Sequence, residues 1–384
     1  HSNSFSSAFD YENFDLDPSV SSFRVGRTTN AANVVIKEPV AMAGPISIYG
    51  GDILLEEDFT STLSGADVLV KGRGDVEAVA SRSFLTNNGD IVFWSNSDNS
   101  GVGSIKLGND NVLNSSNGRS GDTDSGGGKI TLGGGSGSGT SPTGYSSSSS
   151  APGIKLGTST SNHTQFYSGG GDISIKGSST ATGLVDDRDE SGIYQWGRMT
   201  MKSGRGAITM QGTSSEYQGI GFVAPVSESD VGANQLSLIS AKTSGTAIQL
   251  TGSSSAGVGV GFNHQNPKEI LSLGGGQVTI TGTGAGTHGV VMQNLDLLST
   301  AGSLNVYGGT GGVSLGDRGV RFGSDAASAV TSSTASLTIR GDDLEYNDLA
   351  FGFSNSLEST GAVVMESHSN SFSSAFDYEN FDLD

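Results

Sequence analysis

Short runs of alternating apolar and polar residues, each bracketed by glycine, fill most of this 384-residue chain. Gly44-Pro45-Ile46-Ser47-Ile48-Tyr49 leads straight into Gly50-Gly51-Asp52-Ile53-Leu54-Leu55. Asp67-Val68-Leu69-Val70, Gly89-Asp90-Ile91-Val92-Phe93-Trp94 and Gly103-Ser104-Ile105-Lys106-Leu107-Gly108 repeat the arrangement. A turn of Gly or Asp feeds a β-branched residue, two or three alternating positions follow, and another Gly closes the run. That is strand chemistry: branched side chains suit a half-buried pleat, and Gly supplies tight corners. No stretch sustains apolar spacing near 3.6 residues, so the pattern predicts no helix.

Two strand classes alternate in the second half. The longer carries Ile130 in GGGKITLGG, Ile173 in GGGDISIKG, Ile208 in GRGAITMQG, Leu236 in NQLSLIS, Val278 in GGGQVTITG, Leu304 in GSLNVYG and Leu337 in ASLTIRG. The shorter carries Ile154, Ile193, Ile220, Val260, Val290 and Val320. Successive long strands lie 26 to 43 residues apart, while strand length stays constant. Variable spacing around constant strands places the extra length in corners, which a coil tolerates and a propeller blade or sandwich does not. The expectation is an all-β chain folded as a right-handed parallel β-helix. The Gly- and Ser-rich residues 133–150 then read as a protruding corner, the alternative being a flexible linker.

A larger period overlies the strand pattern. Residues 1–17, HSNSFSSAFDYENFDLD, recur letter for letter as residues 368–384, an offset of 367. Seventeen identities point to one period of a tandem array plus a short overlap into the next copy. The His at position 1, where a start would place Met, agrees with an excerpt from a longer array. The expected layout is an aromatic and acidic junction at 1–32, a rod at 33–345, a lead-in at 346–367 and the next repeat from 368. A rod of this kind holds about ten to fourteen rungs per period. Phe5, Phe9, Tyr11 and Phe14, with their copies Phe372, Phe376, Tyr378 and Phe381, are the candidate contacts between repeats or fibres, because aromatics bring large contact area. A local cap folded on its own coil is the equal alternative.

Composition narrows the function. Glycine is 60 of 384 residues, charged residues are 15%, and there are seven prolines, which excludes collagen-like and polyproline chains. Twenty basic against 39 acidic residues give a net charge of −19, the wrong sign for nucleic acid. No apolar run is long enough for a membrane helix, so no membrane insertion is expected. The absence of cysteine excludes disulfides and thiolate metal sites.

Runs such as GPISIYGGDILLEEDFTSTLSGADVLVKGRGDV, NNGDIVFWSNSDNSGVGSIKLG, GGGDISIKG and GGGQVTITGTGAGTHGVVM resemble the large bacterial surface proteins of the filamentous-haemagglutinin type. The similarity is one of repeat style and covers about residues 44–345. It implies a β-helical rod exported to the bacterial cell surface, working as an adhesin or matrix filament. The exact long period and the 1–32 segment depart from that family and place the chain nearer to giant tandem-repeat exoproteins. Partners would be copies of the chain itself, and glycans or surfaces if the rod is an adhesin stalk.

Chemistry-bearing residues are sparse. The five histidines (His1, His163, His264, His288 and His368) share no ligand or triad spacing. The cluster Asp186-Asp187-Arg188-Asp189-Glu190 is the densest acidic one, and a polysaccharide-degrading β-helix enzyme would draw on Asp187 and Asp189. No cofactor is expected, though calcium has candidates in Asp122 and Asp124 of GDTDSG and in Asp15 and Asp17, which offer alternate hard oxygens on turns. Arg73-Gly74-Asp75 and Arg340-Gly341-Asp342 spell a cell-attachment tripeptide, and Asn114 and Asn162 match glycosylation acceptors. The preferred expectation is a non-catalytic structural repeat of an extracellular fibre.

Overall fold

The computed structural model describes residues 5–13, 16–159, 163–184, 187–223, 235–263, 267–285, 288–316, 319–325, 328–346, 355–369, 371–372 and 381–383. At 187, 188, 223, 346 and 381–383 it describes the backbone alone. Phe14, Asp15, Asn162, Asp186, His1, His264, Phe376 and Tyr378 lie outside the described residues. The strands form three parallel sheets, visited in fixed order by each coil from Val34 to Glu366, while the first coil has described strands on sheets 1 and 3. Sheet 1 runs from Phe9–Tyr11 through Val34–Ile36 and Ile53–Leu55 to Leu344–Tyr346. Sheet 2 runs from Val40–Met42 and Phe59–Ser61 to Asn355–Leu357 and Phe381–Leu383. Sheet 3 runs from Phe23–Val25 and Ile46–Gly50 to Leu337–Gly341 and Val363–Glu366. Each path holds twelve strands, so the expected parallel β-helix is the fold, with a rung number inside the expected range.

The core is a set of in-register columns. On sheet 1, Val34, Ile53, Val76, Ile105, Ile154, Ile193, Ile220, Val260, Val290, Val313 and Leu344 stack above Phe9. On sheet 2 the inward column passes through Phe59, Phe84, Leu113, Phe166, Met201, Leu238, Ile270, Leu297, Phe322 and Leu357. Nearly all of these side chains are fully buried. Each stacks on the same position one coil away, so burial and the ladder hydrogen bonds reinforce one register.

Two recurrent sequence features acquire a structural cause. Gly177, Gly212, Gly252 and Gly282 form a column of their own on sheet 3. A Cβ there would collide with the carbonyls of Gly192, Gly219, Gly259 and Gly289, where sheet 1 turns in against sheet 3. The Asp before a strand ties that strand to the next coil. The Asp52 carboxylate accepts the Asp75 N–H at 3.0 Å and Asp75 accepts that of Ser104 at 2.7 Å. Asp67 likewise accepts from Asp90 at 2.7 Å, and Asp90 from Lys129 at 2.8 Å.

Where outward positions are apolar, a long corner folds back over them. Leu69, Val92 and Trp94 cluster on the outer surface of sheet 3 with Tyr49. The hairpin of Ile130–Ser138 with Ser141–Gly144 covers Trp94, whose indole N–H donates to the Gly135 carbonyl at 2.9 Å. Residues 133–150 are therefore a structured corner. Ile239, Leu271 and Leu298 form a second outer cluster, on sheet 2, and Val330 from the long corner before Leu337–Gly341 covers it.

Three sequence expectations are corrected. The two strand classes correspond to sheets 3 and 1, but Leu236 and Val320 belong to sheet 2, whose strands the pattern did not separate. The sheet 3 strand of that coil is Thr246–Ser254, which has no Gly-Gly lead. The coil also extends beyond the expected 33–345 span at both ends. Phe9–Tyr11 pairs with Val34–Ile36, Phe23–Val25 with Ile46–Gly50, and Val363–Glu366 with Leu337–Gly341.

A lysine occupies one inward strand position. Lys268 points inward between Leu236 and Leu295, is 2% exposed, and its ammonium donates to the Gln293 carbonyl at 3.0 Å. Burial lowers its pKa to about 7. Between that value and the ordinary 10.5 the unfolded chain binds the extra proton, so stability rises with pH across the window. Lys268→Met should stabilise the protein by a few kcal/mol at neutral pH, since each tenfold loss of proton affinity costs roughly 1.4 kcal/mol, and it should flatten this slope. Denaturant midpoints of both chains from pH 6.5 to 9 test it: parallel profiles would show that Lys268 stays charged in the fold.

Candidate functional site

The repeated peptide marks the place where the two ends of the described coil carry one sequence. At the base, Phe9–Tyr11 is the first strand of sheet 1, Tyr11 is 3% exposed and its ring meets Phe23 edge-on at 5.1 Å. Phe5 stacks on Phe9 with ring centroids 4.7 Å apart, and Phe5, Phe9 and Leu16 all pack against the core. At the other end, residues of the second copy meet the last coil. Phe381–Leu383 pairs with Asn355–Leu357, with Leu383 in register with Leu357. Phe372, the copy of Phe5, also packs against the core.

The chain thus keeps its phase. A coil visits sheets 1, 2 and 3 in turn, and the last sheet 3 strand, Val363–Glu366, precedes the second copy. Residues 381–383, which repeat 14–16, then occupy sheet 2. The first copy places residues 9–11 on sheet 1 and reaches sheet 3 at Phe23–Val25. One period of 367 residues therefore spans twelve coils, about 31 residues each.

Polar contacts fasten the second copy. The Asp342 carboxylate accepts the Ser369 N–H at 2.6 Å, and Arg340 donates to the His368 carbonyl at 3.2 Å. Burial acts to raise the Asp342 carboxyl, but hydrogen bonds from Ser369 and the nearby His368 outweigh it and hold it below the usual carboxylate range. Its contribution is present above the ordinary Asp range and fades as pH falls through its lowered value. Asp342 repeats on the last coil the tie that Asp52, Asp67, Asp75 and Asp90 make below.

A second feature is a cleft of about 510 Å³ on the outer surface of sheet 1. Its floor is the in-register row Glu77, Lys106 and Lys155, and its walls include Val79, Ala80, Ala151 and Pro152. Asp189 closes one end from the 3-10 turn Asp187–Glu190 and pairs with Lys155 at 2.8 Å. Lys106 lies 3.7 Å from Asp75. The cleft offers donors and acceptors of both signs beside a small apolar wall, the makeup of a site for a polar, hydroxyl-rich ligand. Of the acidic cluster, Asp189 alone reaches this cleft among the described side chains; Glu190 turns inward and accepts the Leu184 N–H at 2.7 Å.

Among the described residues, the remaining sequence candidates are engaged within the coil. Asp122 pairs with Lys202 at 2.8 Å, and Asp124 accepts the Gly121 N–H at 2.8 Å. Asp17 accepts the hydroxyl and N–H of Ser19, which lower its pKa. Asp15 lies outside the described residues, and no cluster of three His, Asp or Glu side chains suited to a metal occurs among the described ones. Arg73 pairs with Asp98 at 3.2 Å while Asp75 ties Ser104, so the first attachment tripeptide is knitted into adjacent coils. Arg340 and Asp342 of the second hold the seam. Asn114 is 4% exposed, its amide donates to the Arg119 carbonyl at 3.0 Å and its oxygen accepts from Ser116, a setting closed to glycosylation. His163 bonds Thr200 at 2.7 Å, with its pKa lowered chiefly by burial, and His288 lies 2.8 Å from Glu345. Sequence reading missed Lys106 and Lys155: each stands alone in its strand, and only coil stacking sets them side by side.

Asp342→Ala should loosen the second copy while leaving the coils beneath it intact. Chymotrypsin, which cuts after Phe and Tyr, should then cleave within 368–384 several-fold faster, with no change in the main melting transition. Unchanged cleavage would remove Asp342 from the seam. Comparison with protein-family models, with curated proteins and with solved structures finds no match for this chain.

Proposed function

We propose that this chain is the structural repeat unit of an extracellular bacterial fibre, a filamentous-haemagglutinin-like surface protein whose periods join end to end as one β-helical rod. The observation that carries the reading is the phase of the seam: twelve coils fill the 367-residue period, and the second copy of the peptide enters sheet 2 with Leu383 in register with Leu357. A rod so joined has no internal caps, because each period covers the strand edges of its neighbour. Its work is reach and stiffness, and the net charge of −19 keeps neighbouring rods apart in solution. Its partners are further copies of the same unit, and the reading includes no catalytic step and no cofactor.

A second reading makes the rod the stalk of an adhesin. The cleft over Glu77, Lys106 and Lys155 favours it, since a tandem array would present that cleft once per period to glycans or surfaces.

Chains of one, two and three periods, imaged by electron microscopy, test the rod. Each added period should lengthen it by about 58 Å, twelve coils at about 4.8 Å each. Globular beads on a flexible string, or an increment far from that value, would refute the continuous rod.

A further inference from the structure

Stacking of coils aligns charged side chains that the sequence keeps far apart. On the outer surface of sheet 1, Glu77, Lys106 and Lys155 stand in register on successive coils, roughly 4.8 Å apart. The next member of the row, Tyr194, is 1% exposed, so the open floor ends at Lys155. Asp189 reaches Lys155 from its turn at 2.8 Å, and Asp75 holds Lys106 more loosely at 3.7 Å. The side chains of Lys106, Lys155 and Asp189 all stay partly exposed and line the cleft of about 510 Å³.

This pairing decides what the cleft can hold. Each lysine already faces a carboxylate, and Glu77 and Asp189 balance Lys106 and Lys155, which leaves no surplus of positive charge for an anion. An acidic ligand would have to displace a carboxylate from its lysine and enter the field of a chain carrying −19. A neutral hydroxylated ring meets neither obstacle. A lysine ammonium has three donors, so Lys155 can hold Asp189 and still donate to a hydroxyl oxygen. The carboxylate beside it can accept the hydrogen of the adjacent hydroxyl, and bonds to charged groups of this kind are the stronger ones. Val79, Ala151 and Pro152 give the C–H face of such a ring an apolar wall.

We propose that this cleft binds neutral hexopyranose residues of glycans and does not take uronate or sulfated sugars. Lys155 with Asp189, and Lys106 with Glu77, each bond a pair of neighbouring hydroxyls. The inference rests on the adhesin-stalk reading and names its ligand class. One such cleft makes few contacts and binds weakly, and its repetition once per period supplies the avidity.

Saturation-transfer NMR on the full chain tests this, with short gluco-, galacto- and manno-oligosaccharides as neutral probes and oligogalacturonate as the acidic one. At least one neutral series should bind, with an affinity that changes by less than about twofold between low and high salt, since the ligand carries no charge to be screened. Lys106→Met and Lys155→Met should each weaken that binding roughly tenfold, the loss of one hydrogen bond to a charged group. Asp189→Asn, which keeps the shape and removes the charge, should weaken it too. At an anion site the same substitution would free Lys155 and tighten binding. The main melting transition should stay in place in all three variants; if Lys155→Met moves it, Lys106→Met decides, because the Lys106 pair is the looser one. Tighter binding of oligogalacturonate than of any neutral series, a gain on Asp189→Asn, or no binding of either class overturns the proposal. Adhesion to glycan-coated beads that survives both lysine substitutions would also overturn this site, while leaving the adhesin-stalk reading standing.

Discussion

Everything in this molecule follows from one constraint: after each coil the chain must return to the same three faces in the same register. The ladder hydrogen bonds of parallel strands need that return, and so does the interior, where Val34, Ile53 and Val76 each rest on the residue one coil below. Slipping a strand by one residue would turn its inward column to solvent and its outward polar row into the core. Between faces the path is free, which is why corners range from tight turns to the hairpin over Trp94 without disturbing the stack.

Several acidic residues serve the same constraint. A carboxylate at the foot of a strand accepts the N–H of the coil above, as Asp52, Asp67, Asp75 and Asp90 do, and Lys37, Arg82 and Arg321 reach acidic partners on neighbouring coils. Residues that a linear reading assigns to calcium, cell attachment or glycosylation are largely consumed by this stitching. The price is specialisation: a surface whose charges bind one another keeps few free for chemistry, and the cleft on sheet 1 is where both signs face an open volume.

The seam extends the constraint from coils to periods. A repeat that ended partway between faces would force a break or a cap at each junction. With twelve coils in 367 residues, residues 381–383 return to sheet 2 in step, and the Asp342 carboxylate ties Ser369 to the last coil. Phe5 and its copy Phe372 pack on the core at opposite ends.

The fold class was legible in the sequence because Gly-bounded alternation is a local property, written into each strand. The 367-residue period was equally plain, since identity needs no structure to be seen. What the sequence left hidden depends on which coil lies above which. Sheet 2 escaped notice because its strands mix Phe, Met, Leu and even Lys268, with no shared glycine lead, and Leu236 imitated the pattern of sheet 3 in the coil where Thr246–Ser254 holds that place. The strands within 1–32 escaped for a similar reason, their alternation carried by Phe9 and Tyr11 among acidic residues. Lys106 and Lys155 are far apart in the chain and adjacent in space, so only stacking could reveal their cleft. Local chemistry chose strands and corners; the return of each coil to the same register, a long-range condition, decided which residues meet.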